Sequence, residues 1–119
     1  MKPKEIVFSY NYRKLEDHLH TTVRSVKWMK NRGIKIGDVI PVRVLQTAIN
    51  FFDKLVGYYD EQINKIPIEL LYYDTNLYNK AGVTSHQEFV DLLNTFIPKY
   101  NPNRLTTVKR VLLLLRVYK

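Results

Sequence analysis

The sequence lacks cysteine altogether, and it contains only 4 glycines and 5 prolines among 119 residues. Without cysteine, a disulfide framework, a thiolate zinc site and a cysteine nucleophile are all excluded. No apolar run approaches the length of about 18 residues that a membrane span needs, and the N-terminal segment does not contain the apolar stretch of a signal peptide. We therefore expect a cytoplasmic protein that does not associate with membranes.

Acidic residues are scarce relative to basic ones: 11 Asp and Glu stand against 19 Lys and Arg, which gives a formal charge of +8 and a pI near 9.7. The excess is confined to the two ends, because residues 1–35 and 99–119 each carry a net +6, whereas residues 36–98 carry −4. If the ends meet in the fold, they form a positive face that attracts a polyanion. The pattern favours nucleic acid as the partner; the alternative is a charge that serves solubility alone.

The local sequence patterns predict a mixture of strands and helices. Helical spacing predicts helices at residues 11–19 and 69–78, and a capping box of Ser85 with Glu88 starts a helix that Pro98 ends. β-Branched runs bounded by turn residues predict strands at residues 5–9, 21–28, 39–45, 47–59 and 105–118. This order predicts an α+β fold, a small mixed barrel or sheet with helices at its ends.

Two of these strands carry further expectations. Pro41 lies inside the third strand and predicts a strand edge or a bulge, since proline has no N–H to donate. In the last strand, one face is expected to be fully apolar: Val111, Leu113, Leu115 and Val117. The opposite face alternates arginine with leucine, so we expect it to be only partly buried.

Three residues of the second predicted strand form the main candidate binding site. Thr22 and Arg24 lie two positions apart, so they project to the same side of a strand, and Trp28 follows on that side. A guanidinium offers a bidentate fork for a phosphate, a carboxylate or a base edge, and an indole ring offers a platform on which a base can stack. The alternative is that Arg24 reaches solvent and Trp28 belongs to the core.

The basic and aromatic residues around this strand have more than one interpretation. Four cations beside Trp28 are candidates for nucleic-acid backbone contacts: Lys27, Lys30, Arg32 and Lys35. They could also form a solvated loop. The tyrosine pairs at residues 58–59 and 72–73 can cover the barrel with their rings, stack bases, or form the face of a homodimer.

Four segments carry sequence motifs, in this order along the chain: HTTVR at residues 20–24, KIGDVI at 35–40, GVTSHQEF at 82–89, and the apolar strand at 108–117. Together they resemble the archaeal ASCH domains of the PUA-like superfamily. The resemblance implies a single domain over residues 1–119, a small PUA-like β-barrel with two or three short helices, and a cleft lined by Thr22 and Arg24. We expect no cofactor and no metal.

ASCH domains are thought to bind RNA, some members cleave RNA, and one bacterial branch removes acyl groups from modified cytidine nucleosides. The resemblance therefore implies an RNA- or nucleotide-binding protein, with a small hydrolase or ribonuclease in the same cleft as the alternative. The deacylating branch uses a Lys three residues before the Thr, where this chain has Leu19, and a Glu where it has Lys80, Ala81 and Gly82. That departure argues against the deacylation chemistry, and a general base would have to come from elsewhere, such as His20.

The His18-Leu19-His20 triplet supports a rival hypothesis. On a strand, two histidines in this spacing lie on one face and can hold a divalent metal. With a tyrosine nucleophile, such a site would resemble the HUH endonucleases that nick DNA; the candidate tyrosines are Tyr72, Tyr73, Tyr78 and Tyr100. On a helix the two histidines would not face each other, and they would be surface residues.

Overall fold

A computed structural model describes residues 2–96, 101 and 104–118 of the chain. Its five strands are β1 (Ile6–Phe8), β2 (Leu19–Arg24), β3 (Val39–Val44), β4 (Ile49–Gln62) and β5 (Val108–Val117). Its three α-helices are α1 (Val26–Arg32), α2 (Ile68–Thr75) and α3 (His86–Thr95), and three short 3-10 turns cover Arg13–Glu16, Ile63–Lys65 and Arg104–Thr106. The α+β prediction is confirmed. None of the helices in the described ranges is long and apolar enough to cross a membrane.

The five strands form one mixed sheet in the order β1-β3-β4-β5-β2. Only the pairing of β1 with β3 is parallel, and the other three pairings are antiparallel. The two edge strands are therefore β1 and β2. The sheet curls until these edges approach each other, and the side chain of Arg24 on β2 donates a hydrogen bond to the carbonyl of Val7 on β1 (3.3 Å). We call the gap between the two edge strands the seam.

Strand β3 shows why the alternating pattern folds as it does. Ile40, Val42 and Val44 are buried, while the residues between them are exposed. Pro41 lies opposite Phe52 on β4, but the pairing with β1 begins only at Val42. Pro41 thus occupies a position with a strand neighbour on one side, where a missing N–H is tolerated, as the sequence predicted.

The apolar side chains form two cores. The first core lies among β1, β3, β4, β5 and α1; it contains Ile6, Phe8, Leu15, Met29, Ile34, Ile40, Val42, Val44, Leu55, Leu112 and Leu114. The second core joins the sheet to α2 and α3; it contains Ile63, Ile66, Leu71, Val83, Phe89, Val90 and Val111. Strand β5 contributes to both cores, which explains why nearly every residue of its central segment is apolar.

The face assignment predicted for β5 was wrong. Leu112 and Leu114 are completely buried, whereas Leu113 and Leu115 are 36% and 38% exposed. The apolar cluster that α2 and α3 form with the outer face of the sheet includes Val111 and Val23 but neither Leu113 nor Leu115, so these two leucines stay partly exposed. The opposite face is closed by the curl of the sheet itself.

Two boundaries near the N-terminus also differ from the prediction. Residues 25–28 are not strand, because Ser25 caps α1: its hydroxyl accepts a hydrogen bond from the N–H of Trp28 (3.0 Å). A favourable N-cap of this kind outweighs the β-propensity of the segment. The helix predicted at residues 11–19 is reduced to the turn Arg13–Glu16, and Leu19 already belongs to β2.

The helix start predicted from the capping box is confirmed. The Ser85 hydroxyl accepts a hydrogen bond from the N–H of Glu88 (3.1 Å), and the Glu88 carboxylate accepts from Thr84. These bonds satisfy N–H groups that the first turn of α3 would otherwise leave free. The helix stop predicted at Pro98 lies outside the described residues.

Candidate functional site

A cleft of about 480 Å³ opens at the seam. Its walls come from both edge strands, from the turn at Arg13–Glu16, from all three helices and from the start of β5. The polar and aromatic residues that line it include Phe8, Tyr12, Lys14, Thr22, Arg24, Trp28, Asp74, Arg104 and Lys109. We call it the seam cleft. Its volume falls within the range of roughly 300–1,000 Å³ that is usual for ligand pockets.

Arg24 lies between two aromatic rings in this cleft. Its guanidinium carbon is 5.2 Å from the centre of the Phe8 ring and 5.1 Å from that of Trp28. Its Nε is buried and has no hydrogen-bond partner in the part of the chain that the structure describes. Burial lowers the pKa of Arg24, and the nearby Asp74 carboxylate opposes this effect. Arg24 is therefore a partly desolvated cation with unused donor capacity.

Lys14 and Asp74 form a buried ion pair on another wall of the cleft. The distance between Lys14 Nζ and Asp74 Oδ1 is 2.7 Å, and the lysine ammonium also lies over the rings of Phe8 (4.9 Å) and Tyr12 (5.3 Å). Burial lowers the pKa of Lys14, while Asp74 acts in the opposite direction. Burial, together with the charge of Asp74, raises the pKa of Tyr12 to about 12, so this phenol stays protonated at neutral pH.

Lys109 is the second buried lysine of the cleft, and its situation differs from that of Lys14. It is only 8% exposed, and no carboxylate of the described ranges lies within ion-pair distance of it. Burial and the neighbouring positive charge of Arg104 lower the pKa of Lys109 to about 8. A buried cation without a counterion is unfavourable unless a ligand supplies the missing charge.

The charge balance of the cleft is strongly positive. Within the described ranges, its lining contains four cations, Lys14, Arg24, Arg104 and Lys109, and one anion, Asp74. Every residue of β2 pairs with a residue of β5, so the basic N-terminal and C-terminal segments lie side by side in the sheet. In a low-dielectric cleft, such an excess attracts an anion more strongly than the same charges would on an open surface.

The three predicted ligand-binding residues all line the seam cleft. Thr22 and Arg24 project from β2 as expected, and the Thr22 hydroxyl has no hydrogen-bond partner among the residues described. Trp28 reaches the cleft from α1 rather than from the strand. Its ring also packs against the first core, so the structural interpretation of Trp28 is correct in part.

The four residues predicted to contact a nucleic-acid backbone do not line the cleft. Lys27 and Lys30 lie on the exposed side of α1, and Lys35 lies exposed in the loop that follows. Arg32 stacks on Trp28, with its guanidinium carbon 4.5 Å from the ring centre, and it donates to the Trp28 carbonyl. Arg32 thus contacts Trp28 through both its ring and its backbone carbonyl.

The two histidines of the triplet have different surroundings. His20 is buried on β2, where Nε2 lies 2.9 Å from Asp53 Oδ2 and Nδ1 lies 3.2 Å from the carbonyl of Asp17. His18 is exposed and contacts Tyr118. Within the described part of the chain, no group of three or more His, Cys, Asp or Glu residues is placed to hold a metal ion. Tyr100 lies outside the described residues.

Sequence reasoning missed four charged residues of the cleft: Lys14, Asp74, Arg104 and Lys109. Nothing local distinguishes Lys14 or Asp74, since each sits in an ordinary polar position of its own segment and the pair is separated by 60 residues. Lys109 did carry an indication. It occupies the same strand face as Val111, which is a buried position, and a lone lysine in such a position requires an explanation.

The fold and the cleft define a small α+β protein whose curled sheet carries a basic cleft at its open seam. In sequence, the chain is 42% identical over 113 residues to the "Uncharacterized protein MJ0364" of Methanocaldococcus jannaschii, a match that covers 95% of this chain and 96% of the relative. The chain therefore belongs to the same family as this archaeal protein. No family model matches the chain, and no solved structure matches it.

Proposed function

We propose that the seam cleft binds RNA or a nucleotide through a phosphate group. The observation that carries this proposal is the excess of buried cations, above all Lys109, which has no carboxylate partner in the described ranges. A phosphate would supply the missing charge, and Arg24 could bind it with more than one N–H. The Thr22 hydroxyl would add a hydrogen bond.

The aromatic walls favour a nucleotide over a simple anion. Trp28 lines the cleft in contact with the guanidinium groups of Arg24 and Arg32, and Tyr12 lines the cleft as well. Rings of this kind stack with bases regardless of sequence. The exposed lysines of α1 and the following loop would then add salt-dependent attraction from outside the cleft. The proposal includes the ASCH-like, PUA-like assignment and an archaeal origin; the archaeal relative supports the last of these.

The test is fluorescence anisotropy of a labelled single-stranded RNA at two salt concentrations. We expect Arg24→Ala to weaken binding by at least about 1 kcal/mol, the size of a lost charged hydrogen bond, and to reduce the salt slope by about 0.7. Arg24→Lys keeps the charge but loses the fork, so its affinity should be intermediate. Arg43→Ala is the matched control, since Arg43 is exposed, pairs with Glu5 and lies outside the cleft.

Two outcomes would contradict the proposal. One is that wild type does not bind RNA or nucleotides at all. The other is that Arg24→Ala and Arg24→Lys, both folded by circular dichroism, bind as tightly as Arg43→Ala. The second outcome would assign Arg24 to holding the two edges of the sheet together, through Val7 and Phe8, rather than to a ligand.

One observation favours a hydrolase as the second candidate. Thr22, Lys14 and Asp74 all line the seam cleft, so a hydroxyl, an amine and a carboxylate are present although the sequence positions expected from the resemblance hold other residues. Burial lowers the pKa of Lys14 toward the neutral amine that a general base requires, while its ion pair with Asp74 raises that pKa, so Lys14 would first have to give a proton to Asp74 or to solvent. In such a reaction, Lys14 would take the Thr22 proton as Oγ1 attacks an acyl carbon. It would then return the proton to the leaving amine, and water would hydrolyse the resulting ester.

Turnover separates the two candidates. The protein is incubated with an N-acylated cytidine nucleoside and, separately, with end-labelled RNA without added metal. Release of the acyl group or shortening of the RNA, lost in Thr22→Val, would favour the hydrolase or the ribonuclease. A protein that binds RNA but leaves both substrates unchanged is a binding module.

A further inference from the structure

A second cleft adjoins the seam cleft. It has a volume of about 1120 Å³ and runs between the loop after β1, the segment after α2 and the exposed side of α3. Among the described residues, four line both clefts, so the two share a wall: Tyr12, Thr75, Leu92 and Phe96. We call the second one the outer cleft.

The charge of the outer cleft has the opposite sign. Among the residues that the structure describes, its lining contains one cation, Lys80, and two anions, Glu88 and Asp91. Neutral hydrogen-bonding side chains accompany them, including Asn11 and Asn79. A phosphate is therefore attracted to the seam cleft and disfavoured in the outer cleft, whereas an uncharged group with N–H and O–H donors, such as a nucleoside, suits the outer cleft.

A row of aromatic rings connects the two clefts. Phe8 in the seam cleft contacts Tyr12 edge to face, with ring centres 5.9 Å apart. Tyr12 contacts Tyr10 in the same manner at 6.2 Å, and Tyr10 lines the outer cleft. The side chain of Tyr10 is 43% exposed, so much of its surface is accessible to a ligand. Tyr12 thus separates a basic compartment from an aromatic, weakly acidic one.

We propose that the two clefts form one groove for single-stranded RNA, with a phosphate in the seam cleft and an adjoining nucleoside in the outer cleft, its base on Tyr10. This inference rests on the proposed function, which it extends from a nucleotide to a strand that crosses Tyr12. The opposite charges of the two compartments fix which part of the strand enters which cleft. Ribose hydroxyl groups can donate to the carboxylates of the outer cleft, and the 2′-OH is the group that RNA has and DNA lacks.

The experiment is isothermal titration calorimetry with uridine 5′-monophosphate and with a 5′-phosphorylated uridine tetranucleotide at three salt concentrations. The tetranucleotide should bind more tightly than the monophosphate. Tyr10→Ala should weaken the tetranucleotide by roughly 5- to 100-fold, the usual range for a lost stacking contact. The salt slope should not change, because no phosphate contact is lost. Tyr10→Phe retains the ring and should bind as wild type does.

Tyr59→Ala is the matched control, since Tyr59 is similarly exposed (45%) but lies outside both clefts. Equal affinities for the two ligands, or a loss in Tyr10→Ala no larger than in Tyr59→Ala, would overturn the inference and leave the proposed function in place. Absence of binding for both ligands would overturn the proposed function and the inference with it. Loss of binding in Tyr10→Phe would also contradict the stacking role.

Discussion

Replacement of Lys109 by methionine should make the protein more stable at neutral pH. Lys109 is buried beside Arg104, and its pKa falls from the ordinary value of 10.5 to about 8. At roughly 1.4 kcal/mol per pKa unit, this difference sets an upper limit of about 3 kcal/mol of unfavourable free energy in the folded state, which solvent screening in the open cleft reduces. Methionine has a similar length and no charge, so Lys109→Met should recover a large part of it.

The sign of the pH dependence follows from the protons bound in each state. Below pH 8, Lys109 is protonated in the folded and the unfolded chain, and the whole penalty is present. Between pH 8 and 10.5, the unfolded chain binds more protons than the folded one, so the stability contributed by this site rises with pH. The advantage of Lys109→Met over wild type should therefore be largest below pH 8 and should disappear as the pH approaches 10.5.

The assay is urea unfolding of wild type and Lys109→Met at several pH values between 6 and 10. Only the difference between the two proteins is compared at each pH, because the other titrating groups are common to both. Lys27→Met, which changes an exposed lysine of α1, should show no such trend. If Lys109→Met is less stable than wild type at pH 7, or if the difference does not vary with pH, the reasoning is refuted.

Two further predictions concern the frame around the cleft. His20→Leu leaves the buried Asp53 carboxylate without its partner and should lower the free energy of unfolding by about 3–5 kcal/mol; the double variant with Asp53→Leu should recover part of the loss, and chemical denaturation measures both. Gly82→Ala should destabilise the protein by about 1–3 kcal/mol, because a Cβ at Gly82 would lie 2.1 Å from the Tyr72 carbonyl oxygen. Gly57→Ala, which meets no atom within 4 Å, is its control in thermal unfolding; equal losses in the two variants would contradict this explanation.

The sequence was most informative where one local rule decides the structure. The alternation in β3 and the capping box of α3 each determine their element without help from distant residues. The assignment failed at Trp28, where β-propensity competed with the cap provided by Ser25, and the cap prevailed. The assignment of the faces of β5 also failed. Leucines lie on both faces of this strand, and only the packing around it decides which of them are buried.

The candidate site, too, could be predicted from the sequence only in part. Thr22 and Arg24 could be placed together because a strand brings residues two apart to one side. The pairing of Lys14 with Asp74 depends on how a turn and α2 pack around the seam, and no local pattern encodes that contact. The charge asymmetry along the chain implies a positive face only if the basic ends meet, and the pairing of β2 with β5 is the physical reason that they do.

The arrangement of the sheet has a consequence for association between molecules. The two longest strands, β4 with 14 residues and β5 with 10, lie in the interior of the sheet, where neighbours occupy both of their sides. The edges consist of β1 with 3 residues and β2 with 6, which offer a short template for a strand from another chain. Charged side chains of the seam cleft lie at the place where such a strand would add, so the groups that attract an anion also keep the sheet from growing.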